Sequence, residues 1–311
     1  KDLKMIDQLP TKEWLDDHAQ QEPEQEFVEH EVAIENTKED RRKNQEELQD
    51  VITSIVNIKP EALEKEHKDA NEKAHILTEE AEKALATTSD IFDTEINTQL
   101  MLDSNLVALT TGGAASGRYY DYHPYHGWGK SYIHNEGGVT RGSSGFNLAA
   151  NKMFPYARAR GDGSGISDDN DVTTSVKLYF AFFPKNIGHI RALVSYTTRG
   201  WYQIYSNDKW YNSKEALIDL EIGVRLYQNV WTGSRKKDVF SLHGDNINRK
   251  GRIDGSGNFF SESMAVGANK WVIAEVSVRA HVETEGSGST AQLNFKSHDF
   301  IRIPYVRFDF S

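Results

Sequence analysis

Apolar residues recur along this chain with two different periods, and the change from one to the other divides it. Leu63, Ala70, Leu77, Ala84 and Ile91 repeat every seven residues, and His67, Ala74, Ala81 and Thr88 fill an offset series three or four residues on. Heptads sustained in this way predict a helix packed lengthwise on another helix, and the alanines imply close axes. Pro60 suits its first turn, with Glu61 and Glu64 at the positive end. The seam fits a helix of the same chain in an antiparallel hairpin around Pro60. It equally fits a second copy in a parallel stalk, favoured because the helix continues through Ile96, Leu100 and Leu106.

An earlier helix is predicted over about 25–58, after Pro23 and a short amphipathic piece around Trp14 and Leu15. Phe27, Ile34, Leu48 and Ile55 stand in line, but Arg41 interrupts them and no apolar residue occurs from Asn36 to Glu47. That stretch reads as a solvated face, a hinge or a surface against another chain.

Further on the period becomes two. Val172, Val176, Leu178, Phe180 and Phe182 keep close to one alternation, and Val272, Ala274, Val276, Val278, Ala280 and Val282 keep strictly to another. Other strands are expected at 189–197, 200–206, 217–227, 237–243, 290–296 and 299–310. Strands of this length between Gly, Asn, Asp and Ser turns predict an antiparallel sandwich or jelly roll.

Composition sharpens the boundary. None of the 23 glycines precedes Gly112, and no tyrosine precedes Tyr119. Helix interiors exclude glycine, whereas turns that need positive φ use it. The expected fold is α + β and multi-domain: an N-terminal anchor segment (1–24), a helical coiled-coil stalk (25–111), a Gly/Tyr-rich collar (112–170) and a β-sandwich, jelly-roll-like head (171–311). Residues 1–111 carry 12 Lys and Arg against 28 Asp and Glu, a net of −16, and the remainder carries +5. An acidic rod argues against a nucleic-acid partner. Absence of cysteine excludes disulfides and thiolate metal sites. No run approaches the roughly 18 apolar residues of a membrane span, the start has no signal-peptide core, and the chain reads as soluble.

Two aromatic clusters stand out. Tyr119, Tyr120, Tyr122, Tyr125, Trp128 and Tyr132 read as packing in the core, the collar or a subunit interface. Trp201, Tyr202, Tyr205, Trp210 and Tyr211 are candidate ligand contacts, because rings offer flat faces to sugars and Asn207-Asp208-Lys209 makes a polar tip between the tryptophans. His123, His126 and His134 are candidate ligands for a divalent metal ion, the only cofactor suggested. Asp162-Gly163-Ser164-Gly165 and its repeat Asp254-Gly255-Ser256-Gly257 have oxygens suited to calcium but read as turns. No nucleophile elbow, zinc-protease helix, phosphate loop or dinucleotide fingerprint is present, so enzymatic activity is not expected. A carboxylate pair for glycoside hydrolysis leaves no local signature and stays open.

An acidic coiled-coil rod, a Gly/Tyr-rich collar and a terminal β-sandwich together resemble the layout of tail-fibre and receptor-binding proteins of bacteriophages and phage-like particles. The resemblance implies a homotrimer on a virion or extracellular particle, anchored through its N-terminal side, with the head offered to a cell-surface glycan or protein. The alternatives are a polysaccharide-degrading spike, a structural scaffold protein and a two-part toxin.

Overall fold

The computed structural model describes residues 9–56, 65, 68, 69, 72–77, 79, 117–161, 169–207, 215–286 and 288–311. In chain order these form α1 (Lys12–Val56), β1 (Gly117–Asp121), β2 (His126–Asn135), β3 (Val139–Ser143), β4 (Phe146–Asn147), β5 (Lys152–Met153), β6 (Tyr156–Arg160), β7 (Asp169–Phe182), β8 (Gly188–Arg199), β9 (Trp201–Asn207) and β10 (Ala216–Tyr227). There follow β11 (Arg235–Gly244), β12 (Asn246–Arg252), β13 (Gly255–Phe260), β14 (Met264–Val266), β15 (Val272–Glu285), β16 (Thr290–Asn294), β17 (Phe300–Arg302) and β18 (Val306–Phe310).

Among the described residues all strand pairs are antiparallel, in three sheets. The first, sheet I, is β11-β10-β15-β7-β2, and sheet II is β12-β9-β16-β6-β3. Sheet III is built around β8, with β1, β18, β17, β5 and β4 in its path and β13 and β14 attached to β8. Consecutive strands alternate between the first two sheets, β6 to β7 and β15 to β16, so that β6-β16-β9-β12 faces β7-β15-β10-β11 in the double Greek-key wiring of a jelly roll. The alternation expected from sequence sets the inward face. Val172, Val176, Leu178 and Phe180 meet Ile218, Leu220, Ile222, Val276, Val278, Ile204, Ala291 and Leu293 in one continuous core.

Across the expected boundary at residues 24 and 25, α1 runs unbroken through Pro23, which is buried. Leu15, Ala19, Pro23 and Phe27 recur every four residues, which places them on one side of a helix. That side lies on the outer face of sheet I. Leu15 and Ala19 pack with Tyr179 and Ile273, bordered by Trp14, Trp128, Tyr227, Trp231 and Trp271, and Phe27 lies 5.4 Å from the Tyr132 ring. Burial of this stripe offsets the hydrogen bond that Pro23 removes. The strands within the expected collar join all three sheets: β1 belongs to sheet III, β2 to sheet I, and β3 and β6 to sheet II. Of the proposed seam, Leu63, Ala70, Ala84 and Ile91 lie outside the described residues. Leu77 is helical and half-buried, and no coiled coil is seen among the described residues.

Beneath α1 the outward residues of sheet I form a buried ionic cluster. Arg225 grips Glu275 with two nitrogens at 2.9 and 3.0 Å, Lys177 lies at 3.2 Å, and the Tyr179 hydroxyl donates to the same carboxylate at 2.9 Å. Burial pushes the Glu275 carboxyl up, but the charges of Lys177 and Arg225 and the hydrogen bonds from Arg225 and Tyr179 outweigh it and hold it below the usual range. The phenol of Tyr179 is driven well above its ordinary value by burial and by Glu275. Polar contacts then continue along the helix: Asp16 to His126 at 2.7 Å, Glu26 to Lys236 at 3.1 Å, His30 to Asp171 at 3.4 Å and Glu31 to His134 at 3.5 Å.

Two predictions concern this interface. Glu275→Gln leaves two buried cations without their counter-charge, so unfolding free energy falls by about 3–5 kcal/mol, read by denaturant melts; an unchanged midpoint would refute the cluster's role. His30 has a raised pKa, chiefly through the Asp171 carboxylate 3.4 Å away. A raised folded pKa stabilises docking below the ordinary histidine value, and the contribution is lost as pH rises through the folded one. Tryptophan fluorescence of the Trp14 region is therefore expected to report loosening as pH rises through that range, with a flattened response in His30→Gln.

Candidate functional site

Sheet II has the opposite character from sheet I on its outer face. Ala157, Ala159, Ile204, Ala291 and Leu293 point to the core, so period two turns Tyr156, Arg158, Arg160, Trp201, Gln203, Tyr205, Thr290, Gln292 and Asn294 outward. Register then aligns residues from five separate segments into transverse rows. In the middle row Lys250 stands opposite Gln203, Gln203 opposite Gln292, Gln292 opposite Arg158, and Arg158 opposite Arg141. One flanking row runs Asn248, Tyr205, Thr290, Arg160 and Val139; the other runs Arg252, Trp201, Asn294, Tyr156 and Ser143.

Five strands spaced at about 4.8 Å give the middle row a length of roughly 19 Å, and Trp201 and Tyr205 stand about 13 Å apart along β9. The ends of the row, Lys250 and Arg141, are exposed. Its centre is closed in this conformation: Gln203 is 2% exposed and Gln292 0%. Neither amide group of Gln292, nor the Gln203 carbonyl oxygen, has a hydrogen-bond partner. A buried amide left unpaired costs about 1–3 kcal/mol. At the tyrosine end the Lys73 ammonium lies 5.3 Å from the centre of the Tyr205 ring, and the neighbouring Ala74 is buried within the helical stretch 72–77.

At the tryptophan end Arg252 is held by Asp299 at 2.7 Å and Asp254 at 3.2 Å. Burial pulls its pKa down, but these carboxylates more than offset that and raise it. Lys296 lies 4.1 Å from the ring centre of Tyr156. The described groups can therefore present amides and cations to hydroxyls or anions, with ring faces on both sides.

Of the candidate ligand contacts, Trp201 and Tyr205 share this face and are 7% and 3% exposed. Tyr202 points the other way, into the sandwich, 4.6 Å from Phe240. Trp210 and Tyr211 lie outside the described residues. Sequence reasoning missed Gln203, Gln292, Arg158 and Arg141. A signal was present in the polar alternate positions of 156–160 and 290–294, but only register makes them neighbours.

The three candidate metal-ligating histidines are placed apart. His126 and His134 are eight residues apart on one face of β2, about 26 Å in an extended strand, and each meets its own acid on α1. His134 also lies 3.5 Å from Glu136, and the His123 backbone N–H donates to Asp121. No group of three or more His, Asp or Glu among the described residues is arranged to hold a metal ion. Of the acidic loops, Asp162 to Gly165 lies outside the described residues, and Asp254 is the partner of Arg252.

No protein-family model and no curated protein matches the chain. Among solved structures it is similar to TmCBM61 in complex with beta-1,4-galactotriose, at 10% identity over 53% of this chain and 88% of that one, TM-score 0.16. It is similar to the enzymatically active domain of bacteriophage CBA120 tailspike protein 4, at 8% identity over 56% of this chain and 19% of that one, TM-score 0.17. A third is Caldicellulosiruptor saccharolyticus CBM27-1 in complex with mannohexaose, at 11% identity, 53% and 82% coverage, TM-score 0.15. Scores this low carry neither fold nor function to this chain.

Proposed function

We propose that this chain is a saccharide-binding β-sandwich, and that it serves as the receptor-reading part of an attachment protein on a virion or other extracellular particle. The observation that carries the saccharide reading is the middle row of sheet II, where Gln203 and Gln292 hold buried amide groups without partners between Trp201 and Tyr205. Sugar hydroxyls both donate and accept, as an amide does, and sugar rings stack on aromatic faces. The particle role and a homotrimeric state rest on the acidic composition of residues 1–111 and on the heptad spacing expected within them.

Because the central amides are buried, a saccharide reaches them only through a rearrangement at this face, where Lys73 stands over Tyr205. The measured affinity of the full chain includes that cost. A second reading is supported by Lys73 and Ala74: the face seats the chain's own helical part and binds no sugar.

The two readings separate in one experiment on the full chain, screened against a panel of neutral and acidic glycans. Gln203→Leu with Gln292→Leu removes hydrogen-bonding groups that the folded chain leaves unpaired, so the melt is expected to hold or rise. Binding is expected to fall tenfold or more. A silent panel with intact folding would leave the second reading standing.

A further inference from the structure

The described residues of the outer face of sheet II include Lys250, Arg141, Arg158 and Arg160, and neither Asp nor Glu. Arg252 adds no free charge, because Asp254 and Asp299 neutralise it. The outer face of sheet I differs in kind. There the cations Lys177, Arg225 and Arg279 alternate with Glu275, Glu221, Glu283 and Asp171, and the charges close on one another or on α1. Both faces belong to one sandwich, so the absence of Asp and Glu from the described outward positions of sheet II is a property of that face rather than of the chain, whose net charge is −11.

We infer that sheet II takes an acidic saccharide, one bearing carboxylates or sulfates along its length, across the row from Lys250 to Arg141. This rests on the saccharide reading above and names its ligand class. Two kinds of group on the face point to such a ligand. Arg158 and Arg160 sit two residues apart on β6, about 7 Å along the strand, and a guanidinium fork matches a carboxylate or sulfate with two parallel hydrogen bonds. Arg158 stands directly opposite Gln292, whose unpaired amide suits the hydroxyl beside an acidic group. Each arginine already has an interaction partner within the chain, so an anionic ligand exchanges partners there rather than filling a vacancy. The exposed Lys250 and Arg141 flank the closed centre and meet the ligand first. A nucleic acid fits less well: paired amides and isolated cations do not track a continuous phosphate backbone, and the chain's negative charge opposes a polyanion of that density.

The test uses the full chain and oligosaccharides matched except in charge: oligogalacturonate against its fully methyl-esterified counterpart, with oligoalginate and heparin-derived oligosaccharides as further acids and a short DNA duplex as polyanion control. At least one acid is expected to bind tenfold or more tightly than the neutral saccharides. Its affinity is expected to fall as salt rises, as for a charge-carried contact. Arg158→Gln should weaken the acidic ligand about tenfold and leave neutral saccharides unchanged. Arg141→Gln, at the exposed end, gives the same direction should the buried variant not fold. Neutral saccharides binding as tightly as acidic ones would overturn the ligand class and leave the saccharide reading intact. No binding of any saccharide would overturn both. DNA binding as tight as the best acid would mark the face as a general polyanion surface and overturn the inference.

Discussion

The structure depends on the fact that the central strands of sheet I are covered on both sides. In β7 every residue from Asp169 to Phe180 is buried, although its pattern alternates apolar with polar. The inward half makes the sandwich core. The outward half, Thr173, Ser175, Lys177 and Tyr179, would face water in an ordinary two-layer sandwich, and here lies beneath α1 or its neighbours. Covering such residues removes their water, and a charge so treated persists only if it is paired. Glu275 answers Lys177, Arg225 and Tyr179 together, and this lets an apolar stripe of α1 close over a polar strand face.

That arrangement also explains the acidic N-terminal part. Its carboxylates are distributed along α1 so that Asp16, Glu26 and Glu31 each reach a basic side chain of sheet I, while Leu15 and Ala19 supply apolar burial. The helix is therefore partly a third layer of the sandwich. Its docking combines an apolar anchor near the first turns with ion pairs further on, of which Glu26 with Lys236 is exposed on both sides and His30 reaches the buried Asp171. Exposed pairs contribute little each, so the apolar Trp14 to Ala19 end is the principal anchor and the His30–Asp171 contact a second one.

Much of the sandwich was legible in the sequence. Six residues from Val272 to Val282 alternate without a break, and all six are buried in β15. Pairing across long separations was not legible. His126 meets Asp16 across 110 residues of sequence, and nothing local to Tyr-His-Pro-Tyr-His indicates an acid on a distant helix. The three histidines look like a cluster by spacing, but an extended strand holds two of them apart. Leu15, Ala19 and Phe27 were visible as apolar positions, yet Pro23 between them reads as a break. Only tertiary burial keeps the helix continuous there. The middle row of sheet II was hidden for another reason. Gln203, Gln292 and Arg158 lie on strands far apart in sequence, and a shift of one residue in any register would turn that strand's side chain into the core.

Register also ties the candidate site to stability. The residues that set it are the inward ones, Ala157, Ala159, Ile204, Ala291 and Leu293, whose burial is incompatible with a slipped strand. The outward amides contribute nothing comparable, since Gln292 is buried without a hydrogen bond. A position where leucine would suit the fold at least as well, occupied by an unpaired amide, is a local conflict between composition and packing. Such conflicts gather where a surface is shaped for something other than folding. On sheet I the equivalent polar positions are resolved internally by Glu275 and α1. Sheet II leaves the amides of Gln203 and Gln292 unresolved in the middle of a row with cations at both ends, and that contrast within one sandwich is the physical ground on which the proposed recognition rests.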